Sequence, residues 1–505
     1  MVTVLVAFAA QLALLARKDV LILEWRPTDL AAIALNYYRH GFDFLHPQIL
    51  WGGNGPGYVE MEFPLIPYGI ALLYTLFGVH DWLALAIPML CGIGLAIVLN
   101  VFTKHFFGPA AGFLAGLFVA TSPTWLAMST GVWPDVPPIF CGALGLYMLT
   151  RWVENDEQWH FVLAVFCISL AILLKLTSLY LGLPIAFLFW VKYRHEWWRV
   201  RQAWMFAVLV LLPPTLWYIH AYRLFLQYHN TFGIIASGYS KFGDAGILTD
   251  PRFYAKTFIR LVMFHTTPLG FLLVVAGSMR RADRAVQYLF HVWLGAVLVY
   301  FLVVARGVNL GHYQYALPII PPSAALAGSG LVTLSRKLES RQWTSIAPSK
   351  RMVAFILVAL LAANTVAANY IVESRGMGFR RLSVQKMTTG KAVARLTAPG
   401  TLIVVVDADM DDRTPERSMT PPEVFYFSDR RGWYRAMAWL TAEAIEDLRL
   451  QGAHYLAVSA NHVNYFRTHF TGLYNDCTRR YQTLMDSDEG IIYDLTVRSG
   501  ESPPR

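Results

Sequence analysis

The chain has 505 residues, 56% of them apolar and only 15% charged, with a mean hydropathy of +0.42. That excludes a purely soluble protein: most of the chain must lie in lipid, as a multi-span bundle with one modest domain outside it. The net charge of +9 does not mark a nucleic-acid partner, because the basic residues gather in short loops between apolar runs, as from Lys192 to Arg201.

In chain order, Met1 to Ala16 is apolar, with no basic residue before it and no clear cleavage site after it, and reads as a short first span, not a removed signal peptide. It is thin for a full crossing, so the true start is expected upstream. A polar loop, residues 17–81, follows. It carries Glu24-Trp25-Arg26-Pro27-Thr28-Asp29 and, further on, Gly57-Tyr58-Val59-Glu60-Met61-Glu62-Phe63-Pro64. Acids held at a bilayer surface beside Arg and Trp are costly to keep, which makes this loop the place to look for chemistry. The run Leu65 to Phe77 is short, carries Pro67, and has Tyr68 and Tyr74 as anchors, so it is expected to lie in the membrane surface.

Further apolar segments run from Trp82 to Phe102, Gly108 to Ala127, Val136 to Leu149, Phe161 to Leu174, Ser178 to Val191 and Trp204 to Leu224. Four more run from Phe258 to Met279, Val286 to Val304, Tyr313 to Leu334 and Met352 to Ile371, for about eleven spans. The loops with Lys104, Lys192 to Arg201, Arg280-Arg281 and Arg336 to Arg351 are expected to be cytoplasmic. The first loop, the turns near Asp135, Lys175 and Arg306 to His312, and the tail then fall outside.

The tail, residues 372–505, changes character. Thr401 to Val406 reads as a buried strand, Thr441 opens a helix that ends at Gly452, and Tyr455 to Val458 reads as another strand. The expected organisation is a membrane module over residues 1–371 and a small α/β domain over 372–505. Cys91, Cys141 and Cys167 fall in apolar segments and only Cys477 in the tail, so no disulfide framework is expected.

Transfer of a sugar to a hydroxyl needs a base for the acceptor proton and cations for the leaving phosphate. The acids available are Asp29, Glu60, Glu62 and Asp135; the cations and neutral donors are Arg26, Lys175, Arg306 and His312. Each has a plainer reading. Asp29 would N-cap a helix from Leu30 to Arg39, and Asp135 would cap the following span. Glu60 and Glu62 would be solvated acids facing one way along an extended segment. Lys175 and Arg306 would snorkel at span ends, and His312 would be packed at the interface. No His, Cys and Asp cluster has firm metal-ligand spacing, so a divalent metal is compatible with the sequence but not called for. Asp407-Ala408-Asp409, with Asp411 and Asp412, reads as a solvated acidic loop, with weak calcium binding as the lesser alternative, and is left out of the site.

The residues resemble the GT-C superfamily of integral-membrane glycosyltransferases, of the protein O-mannosyltransferase and aminoarabinose transferase type (glycosyltransferase family 39-like). The resemblance covers residues 20–335. It rests on Trp25-Arg26 with Asp29, Gly57-Tyr58-Val59-Glu60, Glu62-Phe63-Pro64-Leu65 and the run Ala71 to Gly78. Ser122-Pro123, Pro134-Asp135 and His312-Tyr313 with Leu317-Pro318 and Pro321-Pro322 extend it, and Asp429 to Trp433 is similar to the outer domain of bacterial members. It implies a polytopic α-helical membrane protein of GT-C type with a C-terminal α/β domain, in a cell membrane, that of a bacterial inner membrane in particular. It also implies a polyprenyl-phosphate sugar donor and an inverting transfer on the outer face. The acceptor, a lipid, glycan or protein, stays open. Asp29 would be the general base, Glu62 or Glu60 would position acceptor or donor, and Lys175, Arg306, His312 and Arg26 would contact phosphate. Thr28 and Leu30 flank Asp29, whereas the mannosyltransferases carry adjacent Asp-Glu in this loop, which leaves protein O-mannosylation unsupported. The alternative from another class is a non-enzymatic carrier or scaffold for lipid-linked sugars. That reading predicts polar or broken helices at mid-membrane and paired repeats.

Overall fold

Apolar helices account for most of the computed structural model, which describes residues 2–16, 18, 20–236, 241–309, 312–340, 366, 381–407 and 422–498. Among the described residues, six helices are long and apolar enough to cross a membrane: Asp81–Phe107, Val136–Asn155, Leu176–Arg199, Arg201–Tyr228, Ala285–Val303 and Tyr313–Leu334. Two bent pairs bring the count to eight, and the shorter Val2–Leu15 and Gln158–Leu174 match two further expected spans. The expected span Met352 to Ile371 lies outside the described residues.

The chain divides into two units: Met1–Asp19 with Leu85–Trp217 and Ser240–Arg375, and Val20–Ala84 with Tyr218–Tyr239 and Gly376–Arg505. These units cut across the expected linear division at residue 372, because the first loop folds with the C-terminal region.

In the first unit both bent pairs break at a proline. Pro109–Thr121 turns by 61° into Pro123–Ser129, and Pro251–Thr266 by 99° into Pro268–Ser278. Proline donates no N–H and drives the residue before it out of helical conformation. The first break supplies donors to the second: Ser122 Oγ donates to the His265 carbonyl (2.9 Å) and Thr124 Oγ1 to that of Phe264 (3.1 Å). In lipid such carbonyls have no other donor. Gly277 and Gly330 let helices 268–278 and 320–340 approach so closely that a Cβ at either would strike backbone of the other.

The second unit contains a five-stranded sheet. Its strands are β1 (Leu402–Asp407), β2 (Arg431–Ala436), β3 (Ala453–Ser459), β4 (Tyr481–Ser487) and β5 (Gly490–Arg498), in the order β2-β1-β3-β5-β4. β1 lies parallel to β2 and β3; β5 runs antiparallel to β3 and β4. The alternation of β1 builds two cores, with Val404 and Val406 on one face and Ile403 and Val405 on the other. The expected helix is Ala442–Leu450, with the Thr441 hydroxyl accepting from the Ala444 N–H (3.1 Å).

The same unit holds helix Trp25–His40, packed on helix Leu65–Phe77. The former starts before Asp29, which corrects the reading of Asp29 as an N-cap. Glu24 occupies the capping position with φ +77°, and no side chain caps the helix. Pro27 falls in the first turn, where a missing N–H costs nothing, so the helix runs through it.

Candidate active site

Four of the expected residues are enclosed together in the second unit. Arg26, Asp29, Glu60 and Glu62 are 5%, 1%, 0% and 3% exposed, so the reading of the two glutamates as solvated loop acids is overturned. Asp29 lies one helical turn beyond Arg26. Trp51 donates its indole N–H to Asp29 Oδ1 at 3.0 Å, while Oδ2 receives no hydrogen bond from any described residue. Burial pushes the Asp29 carboxyl well above the usual carboxylate range; the Trp51 hydrogen bond and the Arg26 charge oppose this, and Glu423 adds to it.

The two glutamates have separate partners. Glu62 forms an ion pair with Arg26 Nη2, and the guanidinium sits over the Phe232 ring at 4.1 Å from its centroid. Arg26 Nη1 is buried with no hydrogen-bond partner among the described residues. Glu60 instead ties down the chain at residues 231–235: its carboxylate accepts from the Thr231 hydroxyl and from the N–H of Ile235 (2.9 Å) and Ile234 (3.4 Å). Its backbone pairs with Asn230 and Phe232. The segment bends at Glu62, so the alternation expected of a straight strand does not hold.

Asp135, Lys175, Arg306 and His312 belong to the first unit. Asp135 does take the N-cap position of helix Val136–Asn155, but its side chain caps nothing. The groups it would accept from belong to Pro137 and Pro138, which have no N–H. Its carboxylate pairs with Lys175 Nζ at 3.1 Å, so Lys175, half-buried, is engaged in an ion pair. Arg306 is paired with Asp244. Burial and the Lys241 cation lower the proton affinity of His312; Asp135 opposes them and Arg260 adds to them. It packs edge-on against Tyr315.

Asp407 is also corrected. It is 1% exposed, not solvated, and it pairs with Lys386 Nζ (2.9 Å) and His462 Nδ1 (2.5 Å). Burial would raise its proton affinity, but those partners outweigh it and hold the carboxyl below the usual range. Asp409, Asp411 and Asp412 lie outside the described residues. Among the described residues no group of three His, Cys, Asp or Glu is placed to hold a metal ion.

Trp51, Phe232 and Glu423 were missed in the sequence. The signal for Trp51 was an aromatic residue set against Gly52-Gly53 in the loop that carries the acids. Phe232 and Glu423 carried none, being brought in from positions some 200 and 400 residues away.

This architecture is shared with solved structures. ArnT from Cupriavidus metallidurans, in the apo state, superposes with a TM-score of 0.65 over 97% of each chain at 14% identity. The same protein bound to undecaprenyl phosphate gives 0.62. AglB from Archaeoglobus fulgidus, in complex with an inhibitory peptide and a dolichol-phosphate, gives 0.59 at 13% identity, over 95% of this chain and 72% of that one. At such identities the likeness is one of fold. The chain shares their fold.

Residues 61–219 match the family model for dolichyl-phosphate-mannose-protein mannosyltransferase. YycA of Bacillus subtilis (strain 168), named as a candidate mannosyltransferase, is 29% identical over 136 residues, 27% of this chain. The matched stretch spans about one fifth of that relative's own length.

Proposed function

We propose that the protein transfers a sugar from a polyprenyl-phosphate carrier to an acceptor hydroxyl or amine on the outer face of the membrane, with inversion. The acceptor heteroatom forms a bond to the anomeric carbon as the bond from that carbon to the phosphate oxygen breaks. The electron pair leaves with the polyprenyl phosphate, and the acceptor proton goes to Asp29 Oδ2. The observation that carries this reading is the Asp29 carboxylate: enclosed, raised in proton affinity, and held by Trp51 through one oxygen only. A base whose affinity is moved toward neutrality suits proton removal at physiological pH.

Glu62 orients Arg26, which is assigned to donor phosphate in the second unit; Lys175, Arg306 and His312 of the first unit carry the same assignment independently. His312 acts there as a hydrogen-bond donor. The donor class is supported by the undecaprenyl phosphate and dolichol-phosphate bound in ArnT and AglB. The positions of the basic loops support a reading with the C-terminal domain outside a bacterial inner membrane and helix Leu65–Phe77 flat at its surface.

The test is Asp29→Asn in membranes supplied with polyprenyl-phosphate mannose or polyprenyl-phosphate aminoarabinose, following release of polyprenyl phosphate. Transfer is expected to fall at least about a hundredfold with expression intact. Retained turnover removes Asp29 as the base. Single cysteines at Asn54 and Lys104 are expected to be labelled from opposite sides, and labelling from one side overturns the orientation.

A further inference from the structure

We propose that Trp51 is a positioning residue for the Asp29 base and that the C-terminal α/β domain holds Trp51 in place, making that domain a working part of the active site. The inference rests on Asp29 being the base and adds what decides which of its oxygens does the work.

A carboxylate has two oxygens, and a base is effective when one of them is held and the other is left for the incoming proton. Trp51 Nε1–H engages Oδ1 at 3.0 Å, leaving Oδ2 for the acceptor. An indole N–H only donates, so it stabilises the charged carboxylate and cannot relay a proton away.

Trp51 is in turn fixed by the outer domain. Leu50 and Trp51 pack against the core face formed by Ile403, Val405, Phe425 and Tyr434. On the open edge of β2, the Gly432 N–H donates to the Leu50 carbonyl (3.0 Å) and the Gly53 N–H to the Gly432 carbonyl (2.7 Å). Gly52 faces Trp433 in an antiparallel bridge. The loop is thus bridged to the open edge of the sheet. Gly53 makes this approach possible: its φ is +72°, and a Cβ there would lie 2.6 Å from the Trp433 indole nitrogen. From the other side, Phe232 meets the Trp51 ring edge-to-face at 6.0 Å. Helix Glu423–Ser428 packs on helix Trp25–His40, and Arg39 pairs with Asp429.

The experiment titrates the Asp29 carboxyl by infrared difference spectroscopy, subtracting from each purified protein the same protein carrying Asp29→Asn. Three proteins are compared: wild type, Trp51→Phe, and the full chain with the benzothienyl sulfur isostere of tryptophan at position 51. The isostere keeps the ring's shape and removes only the N–H. Both changes are expected to move the midpoint upward by about one pH unit. They should also lower kcat for release of polyprenyl phosphate roughly tenfold to a hundredfold at pH 7, with KM changed less than twofold. Gly53→Ala should move the midpoint in the same direction, by loosening the strap. A wild-type midpoint and pH profile in the isostere protein overturns the role of Trp51, and a wild-type midpoint in Gly53→Ala overturns that of the domain. If Asp29→Asn itself retains transfer, the base assignment fails, and the midpoints still report separately on whether Trp51 holds Asp29.

Discussion

Arg26 and Glu62, thirty-six residues apart, form an ion pair that is almost wholly enclosed, with side chains 6% and 4% exposed. Removing one partner of such a pair leaves an uncompensated buried charge, whereas removing both leaves none. Glu62→Ala is therefore expected to destabilise the folded protein by roughly 3–5 kcal/mol. The double change Arg26→Met with Glu62→Met should be markedly less damaging. Unfolding of the detergent-purified proteins in a thermal series measures both, and equal losses would show that the pair carries no such coupling.

Glu60 has a different job, and its loss should show elsewhere. Its carboxylate holds the Thr231 hydroxyl and two backbone N–H groups, and hydrogen bonds to a charged group contribute about 1.5–3 kcal/mol each. Glu60→Gln puts an amide where only acceptors fit, so amide hydrogen exchange at Ile234 and Ile235 is expected to rise by at least tenfold, with smaller changes in helix Trp25–His40. Unchanged protection there would sink the assignment.

Asp29 gives a pH prediction of definite sign. Its carboxyl is raised by burial, so the unfolded chain ionises first, near pH ~4, and gains stability over the folded chain as pH climbs toward the raised native value. The stabilising contribution is thus complete at acid pH and lost as pH rises. Asp29→Asn removes that loss: its melting temperature should exceed the wild type's at pH 7–8 and converge with it near pH ~4. A lower melting temperature at pH 8 would mean that the ionised carboxylate is well satisfied in the folded protein.

Lys175 and Asp135 should respond oppositely to phosphate. If Lys175 contacts the donor phosphate, Lys175→Met should weaken binding of undecaprenyl phosphate by about tenfold or more, the scale of one charged hydrogen bond. Asp135→Asn removes the competing anion and should keep or tighten it. Binding measured by displacement of a fluorescent polyprenyl phosphate settles the point, and equal affinities in both variants would remove the pair from the phosphate site.

Much of this molecule could be read locally. Spans are runs of apolar side chains, and lipid demands that each satisfy its own backbone, so hydropathy alone located the bundle. β1 and the helix after Thr441 were likewise legible, because a β-branched run and a capping threonine act on their immediate neighbours. The loop holding Asp29 was recognisable because buried acids beside Arg and Trp are rare at a membrane. What each acid does was not legible. Glu60 and Glu62 are two residues apart, yet one is claimed by Thr231 and the other by Arg26, since the chain returns at 231 to supply donors to only one of them. Asp135 was expected to cap and could not, because two prolines removed the donors, and only the fold brought Lys175 to it. Asp29 depends on Trp51, and Trp51 on a sheet edge nearly four hundred residues on. The price of burying a charge is met by whichever partner the tertiary structure delivers, and no local pattern records where that partner lies.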